Sequence, residues 1–291
     1  MFNKQVVETN RLDLDTKFKF ACHPGVPCFT RCCSNIDIML TPYDVLRLKK
    51  RLGISSEEFL EKYTGVREDD QSSHPYAYLK VLDGDDRLCP FLKNTKEGCG
   101  VYEDRPISCR YYPVGQTTLK KSNDKGEAEH DEFYFFVREE HCKGYEEDKQ
   151  WTIAEFRNDQ GAEHYDAMNR EWKEVLMRRN LPGQPKLDDK KKMLFFMASY
   201  DLDKFRRFIF DSRFLEMFEV DEKEQQEIRE DDVALMNFGF RYIKFLMMME
   251  NTMKPRADVL AAKIKELEEK QAAKDKQKSE AAEKIDAEDK K

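Results

Sequence analysis

The residues with the most evident chemistry are cysteines, all of which lie in the first half of the chain. Deprotonated sulfur is a soft ligand that suits zinc and iron-sulfur clusters alike. The sequence therefore predicts metal coordination, by a centre confined to residues 1–150. The eight candidate ligands are Cys22, Cys28, Cys32, Cys33, Cys89, Cys99, Cys109 and Cys142.

The first group of cysteines is closely spaced, with five residues between Cys22 and Cys28 and three between Cys28 and Cys32. A zinc-sulfur bond is about 2.3 Å long, so one loop with this spacing supplies most of a site. Cys32 and Cys33 are adjacent, and successive side chains of an extended segment point in opposite directions. We therefore expect two sites, or one polynuclear cluster, that share the adjacent pair.

The other four cysteines are distant from one another in sequence, so the fold must gather them. Eight thiolates suffice for two four-coordinate sites. His23 and His141, each beside a cysteine, are alternative ligands in one of these sites. The spacing does not distinguish zinc from iron, because both metals accept a tetrahedral shell of four thiolates.

Disulfide bonds and core packing are the competing interpretations of these cysteines. The N-terminal residues 1–15 lack the apolar segment and cleavage site of a secretory signal, and Phe245–Met249 is too short to span a membrane. We therefore expect a cytoplasmic protein, whose thiols stay reduced and more often bind metal than pair. Eight cysteines with an adjacent pair are also an unusual way to fill a core.

Composition limits the classes of partner. The chain has 40% hydrophobic and 37% charged residues, which is typical of a soluble protein, and its net charge is -7. This acidic balance argues against a nucleic-acid partner, because binding phosphates requires a surplus of Lys and Arg on one face. We therefore expect a metal ion as partner, with no nucleic acid and no membrane, and a protein partner only through the helical half.

Short elements are predicted around the cysteines of the first half. Alternation predicts strands at 17–20 and 35–39 on either side of the first group. Thr41 and Pro42 begin a helix that ends at Gly53, and a second helix runs from Ser55 to Tyr63.

The middle of the chain is predicted to contain a hairpin and a loop. Strands at 77–82 and 87–92, joined by a turn, would present Cys89. Residues 120–132 are predicted to be a surface loop, followed by a strand at 133–137.

The second half is predicted to be helical. Thr152 opens a helix to about Arg179 with the spacing of a capping box, and further helices are expected at about 190–197, 203–218 and 222–253. The fold class is therefore α+β, with a small metal-centred N-terminal domain of short strands and helices. We assign the cysteine-cluster domain to 1–150, a helical region to 151–255 and a charged low-complexity tail to 256–291.

One segment carries a longer motif. Residues 99–113 read C-x-x-Y-x-x-R-P-x-x-C-R-x-Y-P, preceded by the Cys32-Cys33 pair and by Cys89-Pro90-Phe91-Leu92. Residues 18–150 resemble the YkgJ-type cysteine-cluster (CxxCxxCC) family through this pattern. The resemblance implies a zinc- or iron-chelating domain, related to a module of flagellin lysine N-methylases. The first group differs from the family pattern, in which two residues separate successive cysteines.

Two arginines of this motif have a physical reading of their own. Zinc held by four thiolates is formally dianionic, so guanidinium groups nearby would offset the charge. Arg105 and Arg110 are the candidates for this supporting role. Ion pairs with neighbouring acidic residues that merely hold a turn are the alternative.

Three functions remain open from the sequence. The first is a metal-binding protein that coordinates zinc or an iron-sulfur cluster through eight cysteines, with a structural, metal-handling or redox role. The second, implied by the resemblance, is an iron-sulfur-containing enzyme similar to protein-lysine N-methyltransferases, although the chain has no G-x-G-x-x-G loop. The third is a helical interaction adaptor on a metal-stabilised platform. An enzyme is the less favoured reading, and no catalytic residue is identified.

Overall fold

The computed structural model describes residues 6–8, 10–70, 72–122, 128–181, 183–261 and 265. The fold is α+β, as predicted. The strands are β1 (Val6–Val7), β2 (Lys17–Lys19), β3 (Thr64–Glu68), β4 (Pro75–Leu79), β5 (Leu92–Asn94), β6 (Gly98–Cys99), β7 (Val114–Ser122), β8 (Ala128–Arg138) and β9 (Gln150–Thr152). The α-helices are α1 (Pro42–Leu52), α2 (Ser56–Tyr63), α3 (Ile107–Tyr111), α4 (Ile153–Asp159), α5 (Ala162–Arg179), α6 (Asp189–Tyr200), α7 (Leu202–Phe210), α8 (Phe214–Met217), α9 (Glu222–Glu230) and α10 (Asp232–Leu246).

The strands form small antiparallel sheets, ordered β1-β8-β7, β2-β9, β3-β4 and β5-β6. The longest hairpin joins β7 to β8, with a register that runs from Val114 opposite Phe136 to Ser122 opposite Ala128. The predicted surface loop at 120–132 is therefore wrong at both ends, where these strands continue; residues 123–127 lie outside the described residues. The residues at these ends of the strands are mostly polar, so they do not show the apolar alternation that signals a strand.

The predicted strand and helices around the first cysteine group are mostly confirmed. β2 lies where alternation predicted it, and α1 begins and ends as expected. Thr41 and Asp44 form a reciprocal capping box, and Gly53 ends the helix with a φ of 66°, which glycine adopts without strain. Residues 35–39 form no regular strand. They lie beside β4, however, because its last residue, Leu79, donates its N–H to the Ile38 carbonyl.

The predicted turn between 77–82 and 87–92 is present, since the Leu82 N–H donates to the Leu88 carbonyl at 2.8 Å, but the prediction that the two segments pair as strands is wrong. The first segment belongs to β4, whose strand partner is β3, with Ala77 opposite Val66. Cys89 lies in an irregular segment and donates its backbone N–H to the Cys33 carbonyl at 2.8 Å. A turn signal identifies a reversal of the chain but not the partner of each strand, so the sequence pattern did not reveal this connection.

The second half is helical as predicted, but its long helices are interrupted. Gly161, with a φ of 66°, separates α4 from α5 inside the predicted helix 153–179. Asp231 accepts hydrogen bonds from two backbone N–H groups and so caps α10, which divides the predicted helix 222–253. The predicted helix 203–218 is likewise divided into α7 and α8. Among the described residues, no helix combines the length and apolar character that crossing a membrane requires.

One hydrophobic core contains residues from both halves of the chain. Phe18 of β2 packs edge-on against Phe156 of α4, with ring centroids 5.4 Å apart. The buried Lys49 of α1 pairs with Asp203 of α7 at 3.0 Å and with Asp232 of α10 at 3.3 Å. The boundary at residue 150 stays a prediction, and these contacts cross it. Most of the predicted tail 256–291 lies outside the described residues.

A buried hydrogen-bond network joins the turn before β4 to the C-terminal end of α5. Ser72 Oγ donates to Asp69 Oδ1 at 2.7 Å and contacts His74 Nδ1. Because the single hydroxyl proton goes to the carboxylate, His74 is the donor from Nδ1. Arg179 donates from Nη2 to the Ser72 carbonyl at 3.1 Å. Burial, reinforced by the Arg179 charge, lowers the pKa of His74.

This network predicts a pH-dependent contribution of His74 to stability. A lowered pKa means that the folded state prefers the neutral ring, so the contribution is present above pH 6.5 and is lost as the pH falls through the lower folded pKa. We expect His74→Asn to be less stable than wild type and to lose this pH dependence. Urea unfolding from about pH 7.5 to about pH 5 measures it.

The comparison with wild type is essential, because burial raises the pKa of Asp44 to about 6 and this group changes stability in the opposite direction over the same range. His164→Gln, which alters an exposed histidine of α5, is the matched control. Identical pH profiles for wild type and His74→Asn would contradict the prediction.

Candidate metal centre

The cysteines are gathered around one cavity of about 1190 Å³. They arrive from four separate stretches of the first half, which the backbone brings to the same region. The remaining pair, Cys28 and Cys142, is linked to it through backbone contacts described below. Six of the eight cysteines line the cavity: Cys22, Cys32, Cys33, Cys89, Cys99 and Cys109.

The last cysteine segment is held against the first group by one main-chain hydrogen bond and by one bond from a backbone N–H to a cysteine sulfur. Ala21 donates its N–H to the Gly144 carbonyl at 3.0 Å, and Lys143 donates its N–H to Cys28 Sγ at 3.0 Å. Gly144 permits this approach, because a Cβ at that position would lie 2.7 Å from the Ala21 carbonyl oxygen. Cys142 is therefore anchored beside Cys28 although more than a hundred residues separate them.

The adjacent pair, Cys32 and Cys33, contacts the segment that carries Cys89. A 3-10 helix, Arg31–Cys33, follows Thr30, whose φ of 69° turns the chain sharply. The carbonyl of Cys33 then accepts the N–H of Cys89. Next along the chain, Cys99 lies opposite Leu92 in the hairpin of β5 and β6. Backbone pairing alone therefore connects three of the cysteines in this part of the centre.

Cys109 is positioned by a buried carboxylate. It lies on α3, whose first residue, Ile107, donates its N–H to Asp44 Oδ1 at 2.8 Å. Asp44 Oδ2 also accepts the N–H of Thr41 at 2.8 Å, at the start of α1. The same carboxylate thus caps α1 and fixes the start of the helix that carries Cys109.

The thiols influence one another electrostatically. Burial raises the pKa of Cys89 to about 11 and, with the charges of neighbouring thiolates, that of Cys22 to about 12. The pKa of Cys109 is raised well above its usual value for the same two reasons. Cys32 differs, because a hydrogen bond from the Cys33 side chain stabilises its thiolate and lowers its pKa. Several thiolates are therefore unfavourable here unless a cation balances them.

The donor set suits a soft metal, and a bound cation would supply the missing positive charge, since a coordinating thiol is deprotonated outright. Within the described part of the chain, no three His, Cys, Asp or Glu side chains already surround a common point as a coordination shell would. The thiols are neighbours, and we expect metal binding to draw their side chains inward.

Comparison with known proteins supports this chemistry. Residues 21–143 match the family model CxxCxxCC, described as “Putative zinc- or iron-chelating domain”. This region is therefore similar to the CxxCxxCC family. The match spans every predicted cysteine ligand, including the first group with its wider spacing. Neither the curated proteins nor the solved structures gave a significant match.

The two arginines of the CxxCxxCC domain have different surroundings. Arg105 lies 3.9 Å from the centre of the Tyr102 ring and donates to Gln160 Oε1 at 2.6 Å. Its charge acts on Cys99, where it opposes the pKa rise caused by burial. Arg110 donates to the Gln160 carbonyl at 2.8 Å and so ties α3 to the end of α4. The role of both arginines beside a metal stays a prediction. Of the two, Arg105 is the one whose charge acts on Cys99.

Both histidines lie beside carboxylates. His23 Nε2 is 3.2 Å from Glu147 Oε2, and its Nδ1 accepts the Gly25 N–H at 3.1 Å. His141 Nε2 is 3.5 Å from Glu139 Oε2. Ligation through either His23 nitrogen would break one of these contacts. Whether a histidine replaces a thiolate stays a prediction.

Sequence reasoning missed two groups of the centre. Tyr112 interacts with Cys142 and donates to Glu139 Oε2 at 2.8 Å. Asp44 supports Cys109 from another helix. Tyr112 immediately precedes Pro113 and is part of the motif at 99–113, so the sequence could have suggested it. Asp44 showed only the spacing of a helix cap, which does not indicate a role at the cysteines.

The Asp44 contacts predict that this carboxylate stabilises the domain. Asp44→Ala removes the acceptor of two backbone N–H groups, and we expect a loss of about 2–4 kcal/mol in the free energy of unfolding. Asp44→Asn keeps one acceptor oxygen and should lose less. Denaturant unfolding with purified full-length chains measures both, and equal stability of Asp44→Ala and wild type would contradict the prediction.

Proposed function

We propose that the chain is a metal-binding protein whose eight cysteine thiolates hold zinc or iron, with a structural or metal-handling and redox role. The observation that supports it is the gathering of cysteines from four stretches of sequence around one cavity. Core packing alone does not account for this placement, because Cys89 is the one residue of the eight that is buried. The eight cysteines are free thiols, which fits the reduced state expected in the cytoplasm.

In this proposal the metal supplies positive charge to thiolates that otherwise repel one another. The cysteines of the first group, of the irregular segment, of the β5-β6 hairpin, of α3 and of the segment before Gly144 would each contribute ligands. Bound metal would therefore cross-link segments that few strand pairings hold together. Structural zinc contributes roughly 10–16 kcal/mol in small zinc-binding peptides, so occupancy would strongly stabilise the fold.

We assign this centre to a domain at 1–150, with the helical region 151–255 and the charged tail 256–291 after it. The helices would serve as the wall on which the metal domain rests, because α5 and α6 share the hydrophobic core with α1. Metal removal would then weaken the helical region as well as the domain.

Metal analysis of the purified full-length chain tests the proposal. We expect about two zinc ions per chain in colourless protein, or iron with inorganic sulfide in brown protein. Cys109→Ser should lose bound metal and stability, because it removes a ligand and leaves a buried hydroxyl.

Ser108→Ala is the matched control, because Ser108 is exposed and adjacent to Cys109 on α3. It should retain wild-type metal content. Wild-type protein that binds neither metal under anaerobic purification, while remaining folded, would overturn the proposed function.

The size of the cavity favours one second candidate, an enzyme similar to protein-lysine N-methyltransferases. A volume of about 1190 Å³ exceeds what metal ions require and lies just above the range of small-molecule sites, roughly 300–1,000 Å³. Trp172 and Leu176 of α5 line part of its wall. Titration with S-adenosylmethionine followed by calorimetry tests this candidate, and absence of binding to metal-loaded protein would remove it.

A further inference from the structure

The cavity has one wall that contains no cysteine among its described residues. This hairpin-helix wall is formed by parts of β7, β8 and α5. Lys173 of α5 donates from Nζ to Gln116 Oε1 of β7 at 3.2 Å and so joins the helix to the hairpin. Among the described residues of these three elements that line the cavity, Lys173 is the one that carries a charge. The wall is therefore largely apolar around a single ammonium group.

The apolar surface of the hairpin-helix wall depends on a close approach between its two strands. Gly115 lies opposite Phe135 in the register of β7 and β8. A Cβ at Gly115 would lie 2.2 Å from the Phe135 ring, so the ring lies across the glycine. Phe135, Leu176 and Met177 are each half-buried and line the cavity. A ligand with an apolar body would gain free energy by covering this surface.

The charged groups behind the wall leave a surplus of positive charge. Asp166 Oδ1 accepts a hydrogen bond from Lys173 Nζ at 2.6 Å. Asp166 Oδ2 accepts from Arg157 Nη2 at 3.1 Å and from the hydroxyl of Tyr111. Glu163 Oε1 lies 4.0 Å from Arg157 Nη1 and its side chain is 57% exposed, so water screens its charge. One buried carboxylate therefore serves two cations.

Lys173 is the accessible member of this cluster. Its side chain is 35% exposed, against 14% for Asp166 and 10% for Arg157. An ammonium group has three N–H donors, and within the described part of the chain Asp166 and Gln116 accept from it. A third donor beside an apolar surface suits an anionic group, because hydrogen bonds between charged partners are the stronger kind.

From this arrangement we propose that the hairpin-helix wall binds a small organic carboxylate. The anionic group pairs with Lys173, and the apolar body of the ligand covers Phe135, Leu176 and Met177. The side-chain amide of Gln116 offers a further N–H donor beside Lys173, so both oxygens of the carboxylate have a donor. The inference goes beyond the proposed function, because none of these residues is a candidate metal ligand.

Calorimetric titration of the full-length chain with 3-phenylpropionate and with octanoate tests the inference. Each acid is compared with its uncharged amide, which has nearly the same shape, so the difference between their affinities measures the contribution of the charge. We expect at least one acid to bind about tenfold more tightly than its amide. Equal affinities of acid and amide, or no binding of either acid, would overturn the inference.

Two substitutions separate the charged and apolar parts of the wall. Lys173→Met should reduce the preference for the acid about tenfold and leave binding of the amide nearly unchanged. Leu176→Ala should weaken binding of acid and amide by a similar factor, because it removes apolar contact alone. Arg170→Met is the matched control, since Arg170 is an exposed cation of α5 that does not line the cavity, and it should keep both affinities.

The location of the carboxylate follows from these variants. If Lys173→Met keeps the wild-type preference for the acid, the carboxylate binds elsewhere in the cavity and the inference is wrong. Circular dichroism checks that each variant folds. If Lys173→Met does not fold, Gln116→Leu takes its place and should lower the preference severalfold; an unchanged preference would again overturn the inference.

Metal analysis of the same samples keeps the two proposals apart. Wild-type protein that binds the acid but neither zinc nor iron would overturn the proposed function and leave this inference standing. Protein that holds metal and does not distinguish acid from amide would overturn this inference alone.

Discussion

Repulsion between thiolates at close quarters is the constraint on which the first half of this protein depends. Burial and neighbouring sulfur charges raise the pKa of Cys89 to about 11 and of Cys22 to about 12. Among the described cations, Arg105 acts on Cys99 and Lys143 acts on Cys28 and Cys142, which is fewer positive charges than eight thiolates would require. The fold brings together donors that repel one another when ionised, and a bound cation turns this repulsion into attraction.

The scaffold holds the cysteines chiefly through its backbone. Main-chain hydrogen bonds join Ala21 to Gly144 and Cys89 to Cys33, so the course of these segments depends little on flexible side chains. The Lys143 N–H also donates to the Cys28 sulfur. Asp44 extends the arrangement by holding the start of α3. The absence of a coordination shell already formed by three described side chains is compatible with such a scaffold, because side-chain rotations remain available within it.

The helical second half contributes a rigid wall. Phe156 packs against Phe18 of β2, and buried Trp172 of α5 also lines the cavity of the cysteines. Lys49 joins α1 to two carboxylates of the later helices, and a buried charge of this kind must remain paired. The two halves therefore share one hydrophobic core.

The sequence by itself determined the local features. The capping box of α1, the Gly53 stop, strand β2 and the cysteine motif at 99–113 were all predictable, because each depends on residues close together in the chain. The interruptions at Gly161 and Asp231 were not predicted, since helical periodicity continues across a short break.

Only the tertiary structure decided which distant segments meet. The pairing of Cys89 with Cys33, of β4 with β3, and of Ala21 with Gly144 joins residues whose local sequences carry no mark of their partner. Main-chain hydrogen bonds are chemically alike at every residue, so their choice of partner depends on how the whole core packs. The cysteines could be counted from the sequence, but their neighbours could not.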